Sequence, residues 1–502
     1  MAFAITQTCC NDASCVAVCP VNCIHPTPDE PDFGSTEMLY VDPRTCIDCG
    51  ACADACPVDA IFPVDLLTGP LQAYAGINAD YYTDRAVDVF DAASPNFHAW
   101  GQPVFSRTIP SDFPALDVAV VGTGPAGMYA VEDLLLHTSS RVTLIDRLPV
   151  AGGLVRYGVA PDHPSTKKIG EVFARFHHHP RLRLRLGVEV GRDVTVEELA
   201  ARHDAVIYAV GASSARGLGI PGEDLAGSVP ATKVVAWYNG HPDVAAGEID
   251  LSAERVVVVG NGNVALDVAR ILTADPRTLA GTSISPEALA RLESSKVREV
   301  VLLGRRGPDA AACTRPELLA LIGQEDVELV VDAHDARVTE TIDAAGPGEK
   351  AALLQGIRRE TVDWCAPPRP DGRRRIVFRF HSAPAEVLGD SEVRGLRVTG
   401  AAGATEIATG QVVRAVGYRG TPLPGLPFDE DTGTIPNSAG RVADRPGTYV
   451  VGWIKRGPSG GIGTNRECAR ETVTTLLDDV IAGKLPRRAR RSRRARAGLR
   501  LS

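Results

Sequence analysis

The 502-residue sequence has no apolar run of the roughly 18 residues needed to cross a bilayer. Its first residues, MAFAITQTCC, carry neither a basic start nor an apolar stretch of signal length, so a cytoplasmic protein without a membrane span is expected. Aromatic residues are scarce, at 5%, and the formal net charge of −9 argues against nucleic acid as a partner. Basic residues concentrate only from Arg487 to Arg500, read as a solvated end. Cysteine is rare over most of the chain: after Pro57 only Cys313, Cys365 and Cys468 occur, and no two of them form a C-x-x-C pair. That excludes the dithiol chemistry of a thiol–disulfide reductase. The length suggests about three domains.

The other nine cysteines are crowded before Pro57, a placement that favours metal binding over disulfides. Cys46, Cys49, Cys52 and Cys56, followed by Pro57, spell C-x2-C-x2-C-x3-C-P. Two-residue gaps let three thiolates of one loop face one iron–sulfur cubane. The fourth is expected to start a helix and serve another cluster. Structural zinc favours two separated cysteine pairs instead. Cys9, Cys15 and Cys19, followed by Pro20, repeat the outer spacing with Asp12 in place of the second cysteine, and CPVNCI at 19–24 nearly copies CPVDAI at 56–61. Cross-ligation therefore predicts a [4Fe–4S] cluster on Cys46, Cys49, Cys52 and Cys19. A second cluster, [3Fe–4S] or [4Fe–4S], would use Cys9, Cys15 and Cys56, with Asp12 or no protein ligand at its fourth corner. Cys10 is an alternative to Cys9 if the loop shifts register, and Cys23 is expected to pack beside a cluster.

A different pattern begins at Asp117. DVAVVGTGPAGMYAVEDLLL is a β-branched strand, a turn Gly122-Thr123-Gly124-Pro125-Ala126-Gly127 and an amphipathic helical run. In such a turn the first glycine permits the bend, the second admits a pyrophosphate and the third lets helix and strand pack. The helix N-terminus then faces the phosphates. The next strand, RVTLID, ends in Asp146, placed to bond a ribose hydroxyl. RVVVVGNGNVALDVARIL at 255–272 repeats the form, its turn holding Gly260, Asn261, Gly262, Asn263, Val264 and Ala265. After the following strand stand Arg305 and Arg306 rather than an acid. Guanidinium forks suit an adenosine 2′-phosphate, which favours NADP(H) over NAD(H). Residues 273–296 read as a surface insertion, and 335–400 carry no recognisable site.

Residues 5–62 resemble the bacterial seven-iron and eight-iron ferredoxins, and INADYYTD at 77–84 resembles the tail of the seven-iron type. AGGLVRYGVAPDHPSTKK at 151–168 and YVVGWIKRGPSGGIGTN at 449–465 are similar to the FAD-wrapping segments of the adrenodoxin-reductase family. That resemblance implies FAD contacts at Leu154, Val190, Trp453, Gly460, Gly461 and Ile462, with Gly460 also near NADP(H). It implies His163 beside the isoalloxazine and nicotinamide as a group affecting hydride transfer, and Glu317 on the nucleotide. An acidic position used by some relatives is Ala320 here.

The fold expected is an α+β ferredoxin-like head followed by an α/β Rossmann-type FAD/NADP reductase. The head spans 1–84 and a proline-rich linker 85–115. The FAD domain takes 116–212 and 417–485, the inserted NADP domain 213–416, and the basic tail 486–502. IYAVGA at 207–212 and VRAVGY at 413–418 read as paired crossovers between the two domains. The function implied is NADPH:ferredoxin oxidoreduction, with hydride passing to FAD and single electrons to the clusters and on to an external ferredoxin or haem protein, or the reverse. The alternative is an electron-supplying subunit of a glutamate-synthase-type complex.

Overall fold

The computed structural model describes residues 2–83, 85, 109–369, 372–401 and 403–485, so most of the expected linker and the basic tail lie outside the described residues. In the head, two antiparallel pairs, Phe3–Ile5 with Ile61–Pro63 and Ile24–His25 with Tyr40–Val41, accompany two five-residue helices, Ser14–Val18 and Ala51–Ala55. The duplication is visible in the backbone. Asn11, Ala13 and Asn22 have φ of 56°, 59° and 47°, and Asp48, Gly50 and Asp59, each 37 residues later, have 59°, 74° and 47°. The same spacing sets Cys9, Asp12, Cys15 and Cys19 opposite Cys46, Cys49, Cys52 and Cys56.

One expectation fails here. Cys56 does not start a helix; Cys19 and Cys56 each end one, as extended C-caps with ψ of 114° and 117°. Proline follows both, and the residue before proline is pushed out of the helical region.

Two sheet modules follow, the second all parallel and the first parallel apart from its antiparallel edge pairs. The first sheet runs, edge to edge, Asn437–Ser438, Arg441–Val442, Thr448–Val450, Ala205–Tyr208, Asp117–Val121, Arg141–Ile145, Leu182–Arg185. The second runs Ser228–Pro230, Gln411–Arg414, Arg255–Val259, Glu299–Leu303, Arg375–Arg379, Glu328–Asp332, Arg358–Glu360. Its central strands RVVVV and EVVLL are buried at every residue, as expected of strands covered on both faces. Charged first residues are tolerated because Glu299 is gripped between Arg255 and Arg375.

The two chain passages between the modules lie side by side, with Ser214–Ala215 paired antiparallel to Tyr418–Arg419. Residues 273–296 form two short helices, Pro276–Leu279 and Pro286–Glu293. Part of 335–400 joins a three-stranded meander, Ala383–Leu388, Gly395–Gly400 and Gly403–Ala408. The head is not separate from the rest: one hydrophobic cluster runs from Ala4, Ile24 and Tyr74 through Leu116 and Tyr129 to Leu477.

Candidate functional site

Two cysteine-lined cavities open inside the head. Cys9, Cys10, Asp12, Cys15 and Cys56 line the first, ≈ 260 Å³, with Ile5, Leu39 and Ile61 among its apolar walls. Cys19, Cys23, Cys46, Cys49 and Cys52 line the second, ≈ 250 Å³, with Phe3, Val21 and Ile47. Each cavity thus takes its fourth cysteine from the other half. Burial pushes the Cys9 thiol up to about 12 and the Cys52 thiol to about 11, so thiolates form there only with a cation to balance them. The donor set fits iron–sulfur clusters.

Asp12 lines the first cavity, yet its carboxylate is engaged elsewhere. Oδ1 accepts from the Ser14 amide at 3.3 Å, while Oδ2 accepts from the Ser14 hydroxyl and from Arg466. Cys10 is buried in the same wall. Cys23 lies 3.4 Å, sulfur to sulfur, from Cys19.

The first dinucleotide turn has the geometry its glycines require. Gly122 has φ 113°, and a Cβ there would lie 2.3 Å from the Ala209 carbonyl oxygen. One at Gly127 would lie 2.0 Å from the Gly122 oxygen, whereas at Gly124 it would meet nothing within 4 Å. That open face is where a pyrophosphate fits. Pro125 is the first residue of the helix Pro125–His137, followed by buried Ala126. Asp146 follows Arg141–Ile145, and its carboxylate accepts from the Thr123 amide (2.8 Å), the Thr123 hydroxyl (2.5 Å) and the Leu148 amide (2.9 Å). A carboxylate accepts about four bonds, so a ribose hydroxyl still finds a lone pair.

The second flavin segment meets the first directly, since a Cβ at Gly452 would lie 2.5 Å from that of Ala126. The Trp453 indole donates to the carbonyls of Ser459 (3.1 Å) and Gly460 (3.3 Å) and ties down the stretch through Gly461 and Ile462. That stretch enters the helix Thr464–Ile481. Leu154, on the short helix Gly153–Tyr157, leaves 38% of its surface uncovered, and Val190 is buried in a bridge with Val194.

In the second module Gly260 has φ 130°, and a Cβ at Gly262 would touch only Ala312, at 3.8 Å. Ala265 is buried against the sheet and Val264 borders that core. Asn261 accepts from the Ala312 amide and Asn263 from the Thr314 amide, anchoring the segment that opens the helix Arg315–Ile322. Arg305 and Arg306 are exposed at the end of Glu299–Leu303, and among the described residues neither has an ion-pair partner.

The structure brings Glu317 to His163. His163 Nε2 lies 2.9 Å from Arg270 Nη2. Arginine only donates, so this nitrogen accepts and the ring proton sits on Nδ1. Arg270, 3% exposed, also grips Asp162 at 2.6 and 3.0 Å and Asp267 at 2.8 Å, and stands 3.9 Å from Glu317. Burial pushes the Glu317 carboxyl up, and Asp267 adds to it. For Asp162 burial pushes up as well, but Arg270 outweighs it and holds the carboxyl below its usual range. Ligand atoms of His163, Asp267 and Glu317 lie within 4.8 Å of one another, a spacing that suits a cation, but the guanidinium already stands among them. Asp162, Asp267 and Arg270 were missed by sequence reasoning. The signal for two of them was the i, i+3 pair that follows the second glycine turn.

Comparison with known proteins agrees with this geometry. The 4Fe-4S binding domain model matches residues 39–62, and the pyridine nucleotide-disulphide oxidoreductase model matches 116–301. A probable ferredoxin/ferredoxin–NADP reductase of Mycobacterium tuberculosis is 48% identical over 97% of this chain and 85% of its own length. The chain belongs to the ferredoxin–NADP reductase family. NADPH-ferredoxin reductase FprA of the same organism is 45% identical over 72% of this chain and 84% of its own length. The solved structure of FprA in complex with NADPH superposes with a TM-score of 0.68 at 42% identity, over 74% of this chain and 87% of that one. The chain is thus a Rossmann-type reductase carrying an iron–sulfur head. No helix among the described residues is long and apolar enough to cross a membrane, and Cys313, Cys365 and Cys468 are all free.

Proposed function

We infer that this chain is a cytoplasmic NADPH:ferredoxin oxidoreductase that moves electrons between NADP(H) and an external ferredoxin or haem protein, using FAD and two iron–sulfur clusters. The observation that carries this reading is the union of two cysteine-lined cavities with two glycine-turn modules, the head sharing one continuous core with the first of them. Bound FAD supplies the exchange between a two-electron hydride and single electrons, which clusters accept one at a time.

The chain's own residues bind and orient. Gly122, Gly124 and Gly127 would seat the FAD pyrophosphate, Asp146 its ribose, and Leu154, Val190 and the Trp453–Ile462 stretch its remaining surface. Gly260, Gly262 and the helix N-terminus beyond them would seat NADP(H), with Arg305 and Arg306 on the 2′-phosphate. His163, its Nε2 held by Arg270, lies beside Glu317 where the two modules meet, and would orient the reacting rings. The domain division we infer is 116–212 with 417–485 for FAD and 213–416 for NADP(H), behind a head of 1–84, a linker of 85–115 and a tail of 486–502; the membership of the two sheets supports its FAD and NADP(H) parts.

The site of Cys46, Cys49, Cys52 and Cys19 suits [4Fe–4S]. The site of Cys9, Cys15 and Cys56 suits [3Fe–4S], because Asp12 spends its carboxylate on Ser14 and Arg466. EPR with iron and sulfide analysis on anaerobically purified protein tests this. A [3Fe–4S] signal in the oxidised protein is expected; eight irons with no such signal would contradict the assignment.

A further inference from the structure

The head touches the reductase through the loop of its first cavity. The Gly463 amide donates to the Cys10 carbonyl at 2.7 Å. Arg466, one turn into the helix Thr464–Ile481, donates to the Asp12 carbonyl at 3.1 Å, to Asp12 Oδ2 at 3.4 Å and to the Ser14 hydroxyl at 2.9 Å. Its guanidinium also stands 3.9 Å from Glu132 and lies over the Tyr129 ring, 5.5 Å from the centroid, so the neighbouring helix Pro125–His137 holds it in place. Gly463 has an ordinary helical φ of −64°, yet a Cβ there would lie 2.0 Å from the Asn11 carbonyl carbon and oxygen. Glycine at 463 therefore answers to the head and not to a turn.

The second cavity faces the other way. Cys49 is exposed, Ile47 beside it is 58% exposed, and among the described residues none of the nine lining this cavity hydrogen-bonds to the reductase. Other polar contacts between head and reductase are Glu37 with the Arg315 amide and with Lys350, Tyr74 with the Pro316 carbonyl, and Asp59, between two residues lining the first cavity, with Lys168.

We propose that the head is locked in one orientation, in which the Cys9–Cys15–Cys56 site is the inner relay beside the flavin and the Cys46–Cys49–Cys52–Cys19 site is the outer one. Arg466 is the positioning residue of the lock. This rests on the two-cluster reading above and on Gly460–Ile462 meeting the flavin ring, since Gly463 continues that segment. With FAD and both clusters bound, the hydride of NADPH would pass to the flavin, which would release its proton to solvent and its two electrons singly. Each electron would reduce one ferric iron to ferrous at the Cys9–Cys15–Cys56 site, which would be reoxidised as the Cys46–Cys49–Cys52–Cys19 site is reduced. Two one-electron equivalents then reach the acceptor.

The test is freeze-quench EPR of the holoenzyme mixed with NADPH, alongside flavin absorbance. In Cys49→Ala the inner cluster should be reduced at the wild-type rate. In Cys15→Ala the outer cluster should accept electrons from dithionite but from NADPH about a hundredfold more slowly, the penalty of lost positioning. The opposite pattern would overturn the order. Should Cys15→Ala fail to assemble, Arg466→Ala decides. Losing its charged hydrogen bonds should slow cluster reduction about tenfold with flavin bleaching unchanged, and Arg466→Lys should restore most of the rate. An unaltered cluster rate in Arg466→Ala would overturn the lock. A wild-type protein whose flavin bleaches while neither cluster is reduced would instead sink the two-cluster reading, and this inference with it.

Discussion

Arg305 and Arg306 stand exposed at the end of a fully buried strand, free to close on an anion. Charge-assisted hydrogen bonds to a phosphate are worth about 1.5–3 kcal/mol each. Replacing both with Ala should therefore raise the KM for NADPH by about a hundredfold or more and leave that for NADH nearly unchanged. Steady-state kinetics with both nucleotides checks this, and an equal effect would remove the 2′-phosphate assignment. Glu317 gives a second expectation. Its carboxyl is raised above the ordinary 4.5, so the folded chain holds that proton more tightly than the unfolded chain does. The stability this contributes is present below 4.5 and is lost as pH rises through the raised value. Glutamine does not titrate, so the Tm of Glu317→Gln relative to wild type should climb from acid to neutral pH; a constant difference would count against the buried, raised carboxyl.

At the scale of elements, the second sheet stakes much on one buried carboxylate. Glu299, fully buried, is shared by Arg255 and Arg375, and Arg255 also donates to the carbonyls of Trp364, Ala366 and Ala408. Removing it leaves the buried Arg255 without its counter-charge and Arg375 with Glu360 alone. Glu299→Ala should destabilise that module by about 3–5 kcal/mol, read by urea unfolding followed through Trp364.

The elements also show what a sequence makes legible. Both glycine turns and the repeat of the cysteine head were readable because local backbone chemistry demands those residue types at those spacings. Cys56 ends a helix and starts none, because Pro57 keeps the preceding residue out of the helical region, an effect the cysteine spacing does not reveal. The meander of 383–408 carries short, half-exposed strands with little periodicity. The Arg270 hub joins Asp162 and His163 to residues more than 100 positions away, a partnership only folding creates.

For the whole molecule the decisive feature is that the head and the first reductase module share one core. A head packed in this way is placed to exchange electrons within the molecule, without the diffusive encounter that separate proteins need. The reductase half should still work when the head is impaired. Cys49→Ala should lose one cluster signal and keep NADPH-to-dye activity through the flavin, whereas loss of dye reduction would mean that the halves are not separable in function. The central claim is that electrons from NADPH reach the cysteine cavities through the flavin-binding module. Its most direct measurement is an anaerobic titration of the purified holoprotein with NADPH, followed by flavin absorbance and cluster EPR together. Flavin bleaching and cluster reduction in the same molecule, at a rate independent of protein concentration, is the expected result. Bleached flavin beside clusters that stay oxidised in excess NADPH, and that once reduced fail to reduce NADP+, would contradict it.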